Sequence, residues 1–213
     1  MKLHPSRHFQ YKSSRMEGFT LIEILVAIVV LSFGLLGMVG IQALALKSNT
    51  DAKQQSAAVQ MAGELSDMMR GNKSIAVTLT TAANPYLIPA ALSLPNTYTS
   101  SPTPPQCFST TAQCLTPFNV AQWEIEDWKT RISRQFAGAQ VQICYDSAPY
   151  TATGLPQWGC VGAPALGNPI SIKIGWTRAS TNSDRSTLLT QGAALDLAQR
   201  PSVVYTVTPG TPL

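Results

Sequence analysis

The side chain with the most demanding chemistry is Glu23. It heads an apolar run, Ile24 to Ile41, of 18 residues without a charge and with Ser32 as the one side-chain hydroxyl. As a helix this run would be about 27 Å long, close to the roughly 30 Å hydrocarbon core of a bilayer. A carboxylate at the head of such a segment is costly in lipid and implies a partner of opposite charge. The plainer alternative is a glutamate that snorkels at the interface and binds nothing specific.

Elsewhere the chemistry is sparse. Both histidines, His4 and His8, lie before the apolar run, and there is no G-x-S-x-G nucleophile motif and no phosphate-binding glycine loop. Carboxylate catalysis by Glu124, Glu126, Asp127 or Asp146 stays open, although the first three are better read as the solvated face of a helix. No C-x-x-C pair occurs among Cys107, Cys114, Cys144 and Cys160, so neither a metal nor a cofactor is expected. An even cysteine count suits disulfides. Four cysteines allow three connectivities, of which the sequence-local pairs Cys107–Cys114 and Cys144–Cys160 are favoured.

Charge is distributed unevenly. Charged residues make up 12% of the 213, low beside the roughly 25% usual in soluble domains. Lys2, Arg7, Lys12 and Arg15, opposed by Glu17, give the leader before Gly18 +3 of the net +4. No basic patch remains afterwards, so nucleic acid is not an expected partner. The basic leader is retained in the cytoplasm by the positive-inside rule, which puts all four cysteines on the exported side, an oxidising one.

Positioning these residues takes three kinds of element. The helical pattern from Phe19 to Arg70 covers 52 residues, about 78 Å if continuous. Its first part, about 19–46, is oily on all sides, and Gly34, Gly37 and Gly40 recur within it. They suit a close helix–helix face or a segment able to loosen, or simply reflect the frequency of glycine in membrane helices. The last part carries the stripe Ala58, Met61, Ala62, Leu65, Met68 and Met69, suited to packing on a sheet. Gly71 and Asn72 then make a C-cap.

Asn84 to Pro117 holds 7 of the 15 prolines, which leaves little room for helix or ladder; this stretch is the first candidate for a ligand-binding loop, or else a connector. Asn119 is expected to cap a helix running through Phe136, with Ile125, Trp128, Ile132 and Phe136 inward and Gly138 closing it. Trp123 and Trp128 are expected in the core rather than stacked on a ligand. Three alternating runs follow: Val141-Ile143-Tyr145, Ile170-Ile172-Ile174-Trp176 and Val203-Tyr205-Val207. They predict an antiparallel sheet with one wet face, bearing Ser171, Lys173, Gly175 and Thr177. Ser180 to Arg200, with Leu188, Leu189, Leu195 and Leu197, stays open between strand, short helix and hairpin arm.

A basic leader ending in Gly18, followed by Phe19-Thr20-Leu21-Ile22-Glu23 and an unbroken apolar helix, resembles the class III signal of type IV pilins and pseudopilins. The continuation Leu31-Ser32-Phe33-Gly34-Leu35-Leu36-Gly37, with Gln42, is similar to the minor pilins called type IV pilus modification proteins, PilV, over roughly residues 15–72. The resemblance implies an α+β pilin-like fold, a long N-terminal helix packed on an antiparallel sheet. The divisions would be a leader at 1–18, the helix at 19–71 and a periplasmic globular part at 72–213. It implies cleavage between Gly18 and Phe19 by a prepilin peptidase, N-methylation of Phe19, and an assembly role for Glu23. It further implies partners in the inner membrane, the pilus assembly machinery and other major and minor pilins. The role would be pilus assembly, and through it twitching and adhesion, with no enzymatic activity. A minor pseudopilin of a type II secretion system and a membrane-anchored periplasmic enzyme are the competing readings.

Overall fold

The computed structural model describes residues 18–95, 97–99, 107, 114–165, 167–177 and 200–209. The leader before Gly18, the stretch Ser100–Pro105 and the open segment 180–199 therefore lie outside the described residues. The chain divides into two compact units between Asn49 and Thr50.

The first unit carries the start of α1, Leu21–Gly71. Its large apolar side chains, from Leu21 to Leu46, face outward. Among the described residues α1 is the one helix long and apolar enough to cross a membrane, with a mean hydropathy of 2.8 over its most apolar 18 residues and none of that window buried. Ser32, the lone hydroxyl, donates to the carbonyl of Ile28 at 2.7 Å. Its polar group is thus satisfied within the helix, as lipid surroundings require.

The second unit is α+β. The rest of α1 is followed by α2 (Lys73–Ala76), β1 (Ile88–Leu94), α3 (Pro117–Gln135), β2 (Ala139–Tyr145), β3 (Ile170–Gly175) and β4 (Val203–Val207). The strands form one antiparallel sheet in the order β1-β2-β3-β4. Ala58, Ala62, Leu65 and Met69 of α1 are fully buried, in one core with Ile125, Trp128, Ile132 and Phe136 of α3 and with Val141, Ile143, Ile170, Ile172 and Ile174 of the sheet. Polar contacts fix the helices: the indole of Trp128 donates to the carbonyl of Met61 at 2.8 Å, and that of Trp176 to Gln54 Oε1 at 3.0 Å. Trp176 also stacks on Phe136 with ring centroids 5.0 Å apart. Trp123 is half-buried.

Four sequence expectations change. The α3 cap is Thr116, whose side chain accepts from the amide of Asn119 at 3.2 Å, with Pro117 in the first turn. Proline at that position wastes no amide, so the helix begins earlier than Asn119 suggests. Gly138 still follows it, at φ 60, a conformation that favours glycine. The proline-rich stretch also holds a strand, because Pro89 sits on an edge strand where the register slips between Ile88 and Leu92; edges and bulges tolerate the missing amide.

The third change concerns the sheet's second face, which is covered along β3, where all six residues are buried, and stays open toward the edges, where Ser93 of β1 and Thr206 of β4 are exposed. The β2–β3 connection lies over Lys173 and Gly175. A Cβ on Gly175 would stand 2.8 Å from Trp158 Cζ2, so glycine is what lets the indole lie on the strand. Lys173 is fully buried with Asp146, Nζ 2.6 Å from Oδ2; the contact is electrostatic, off the direction of an aligned hydrogen bond.

Lastly, Glu124 and Glu126 of α3 are tied to other parts of the chain, whereas Asp127, its side chain 41% exposed, keeps the solvated position expected of it. Glu124 accepts from the hydroxyl of Tyr86, and Glu126 from that of Tyr98 at 2.7 Å and from Lys129. Asp127 holds Arg131 at 2.8 Å, which also reaches Glu64 of α1 at 2.7 Å. Burial is the larger influence on Glu124 and raises its pKa, against the lowering effect of the Tyr86 hydroxyl. A raised carboxyl pKa makes the folded state most favoured below the unfolded value near 4.3, and that advantage declines as pH rises through the folded value. Glu124→Gln keeps an acceptor for Tyr86 without the charge. The melting temperature of Glu124→Gln relative to wild type should therefore rise between pH 4 and pH 7, by about 1 °C because the site is partly exposed. A relative melting temperature that falls over this range would contradict the assignment.

Candidate functional site

The first described residues, Gly18, Phe19 and Thr20, are exposed and lie outside the helix. The backbone becomes helical at Leu21, where the carbonyl of Thr20 takes the amides of Glu23 at 3.1 Å and Ile24 at 3.3 Å. A peptidase needs a reachable peptide bond, and Gly18 and Phe19 are both exposed and outside the helix. Phe19 is 79% exposed.

Glu23 falls in the first turn of α1, where the unpaired amides and helix dipole favour a negative charge. Phe19, Glu23, Ile24, Ala27, Ile28 and Leu31 border one open groove, the four-residue spacing placing Glu23, Ala27 and Leu31 on a single face of α1. Glu23 is thus the lone carboxylate on an apolar strip, one turn beyond Phe19. If the chain is cut before Phe19, the new α-amine, with an ordinary pKa of about 7.7–8.0, is largely cationic at neutral pH. It would stand at the groove that the glutamate borders.

The four cysteines form two bonds between sequence neighbours, Cys107–Cys114 and Cys144–Cys160. Among the described residues no group of three or more His, Cys, Asp or Glu side chains is placed to hold a metal ion. Of the carboxylates considered for catalysis, Glu124 and Glu126 join α3 to Tyr86 and Tyr98, Asp127 pairs with Arg131 within α3, and Asp146 is buried on Lys173. Asp146 with Lys173, and Trp158 over Gly175, carry structure that strand patterning did not flag. The one hint in the sequence is a lysine flanked by isoleucines in a strand.

No curated protein and no solved structure matches the chain. Residues 13–39 match the family model described as the prokaryotic N-terminal methylation motif. That match spans Gly18, Phe19 and Glu23, and with the apolar helix it supports a type IV pilin-like, membrane-anchored protein.

Proposed function

We propose that this chain is a minor type IV pilin of the PilV kind. A prepilin peptidase cleaves it between Gly18 and Phe19 and methylates the new amine. The apolar part of α1, about 19–46, anchors it in the inner membrane as a single span, with the globular part from about residue 72 in the periplasm. It then joins other major and minor pilins, through the assembly machinery, to initiate pili that serve twitching and adhesion. In this role the protein is structural rather than catalytic. Glu23 pairs with the cationic amine of Phe19, on its own chain or on a neighbouring subunit, and so sets the register of packing. The observation that carries this reading is the methylation motif at 13–39, centred on an exposed, non-helical Gly18–Phe19 bond with Glu23 one turn along.

The same motif is compatible with a pseudopilin of a type II secretion system. Deleting the chain discriminates the two: a minor pilin gives loss of piliation with secretion intact, a pseudopilin the reverse. Processing itself is read from the N-terminal peptide of the native protein by mass spectrometry. The expected species begins at Phe19 and carries one extra methyl group. A chain that retains Lys2 to Gly18 in assembled material removes the proposal.

A further inference from the structure

We propose that the Cys144–Cys160 disulfide is a redox latch. It holds the β2–β3 connection on the outer face of the sheet, and its reduction opens that connection locally while the core stays folded.

The connection, residues 147–169, contains no charged residue, yet it covers two fully buried charges, Lys173 and Asp146. Apart from each other, the partners of these charges are backbone groups of the connection. Lys173 Nζ donates to the carbonyls of Gly159 at 2.6 Å and Trp158 at 3.2 Å. Asp146 Oδ1 accepts the amides of Ala148 at 3.0 Å and Val161 at 3.1 Å. The attraction within a buried pair is largely offset by the cost of taking both charges out of water. Closure therefore needs a further constraint, and it is applied where the contacts converge: Cys160 lies between Gly159 and Val161 and is tied to Cys144 on β2.

Two more observations make this bond a switch rather than a general brace. Among the described residues of the connection none belongs to the hydrophobic core, so it can lift without exposing the isoleucines of β3. Both cysteines also line an open cleft of about 200 Å³, with Leu79, Thr81, Leu87 and Pro89 on its walls. That is smaller than the roughly 300–1,000 Å³ of typical small-molecule sites, but it gives a thiol an approach to sulfur.

The chemistry is thiol–disulfide exchange. A thiolate of a dithiol reductant attacks Sγ of Cys160, the more exposed of the two. The Sγ–Sγ bond breaks, and Cys144 leaves as a thiolate and takes up a proton. The second thiol of the reductant then displaces Cys160. The protein disulfide gains two electrons and two protons, and the dithiol becomes a disulfide; a disulfide oxidant runs the sequence backwards. Opening lets Lys173 and Asp146 hydrate, turning a charge-free surface into a charged one. This inference does not rest on the pilin reading.

The test is hydrogen exchange, read by mass spectrometry, on the full chain in detergent micelles with and without dithiothreitol. Reduction should speed exchange at Ser147, Ala148 and Val161 by at least about 100-fold and within β2 and β3 by less than about tenfold, the pattern of local opening. Cys144→Ser with Cys160→Ser should show the fast pattern without reductant, whereas Cys107→Ser with Cys114→Ser should leave the response intact. Should the first double variant fail to fold, reoxidising the reduced wild type with oxidised glutathione decides, because protection must return. Unchanged protection on reduction, an equal rise across all strands, or protection that fails to return each overturns the latch.

Discussion

Glu23→Ala should leave cleavage before Phe19 and methylation unchanged, yet lower the amount of the chain recovered in sheared pili by two to three orders of magnitude. In the proposed role the peptidase would act at an exposed bond outside α1, and Glu23, four residues beyond Phe19, lies within the helix. Assembly is different. The amine of Phe19 would remain in apolar surroundings without its counter-charge, and removing one member of a buried pair typically costs about 3–5 kcal/mol. Each 1.4 kcal/mol is about tenfold in an equilibrium. The measurement compares the chain in the membrane and pilus fractions, alongside the mass of its N-terminal peptide. Normal recovery in pili would mean that Glu23 is a snorkelling residue with no partner. Loss of cleavage would move its role to the peptidase step.

Lys173→Met should lower the melting temperature of the oxidised protein by roughly 6–20 °C. The variant strands Asp146 in a site where both partners are fully buried, a situation that costs about 3–5 kcal/mol, and 1 kcal/mol corresponds to about 2–4 °C for a chain of this size. The carbonyls of Trp158 and Gly159 lose their donor in the same step. Combining Lys173→Met with Asp146→Asn should recover most of the loss, because replacing both charges removes the uncompensated one. Thermal unfolding of wild type, single and double variants gives the comparison. A single variant within 1 °C of wild type would show that Asp146 finds water when Lys173 is gone. A double variant as unstable as the single one would place the effect in the lost backbone contacts rather than in charge.

The elements governed by neighbours in the chain were legible from the residues alone. The apolar run after Glu23 needs no tertiary information, since length and the absence of charge define a segment fit for lipid. The stripe Ala58, Ala62, Leu65, Met69 and the isoleucine alternation of β3 announce their buried faces by period. The methylation motif is likewise local, confined to residues 13–39. Thr116 displaced Asn119 as the cap for an equally local reason, the proline that follows it.

What the residues could not announce is where opposite charges and large rings meet across long stretches of chain. Lys173 has the alternation of a solvent-facing position, and only the connection folded over β3 makes it a buried one, with Asp146 and two carbonyls as its surroundings. Glu124 and Glu126 have the pattern of an exposed helix face until Tyr86 and Tyr98 arrive from within the proline-rich stretch. Pro89 argues against a strand until the sheet order puts it on an edge. Periodicity encodes which face of an element turns inward. Whether the opposite face meets water or another part of the chain depends on loops, whose paths are set by a few specific contacts rather than by a repeating pattern.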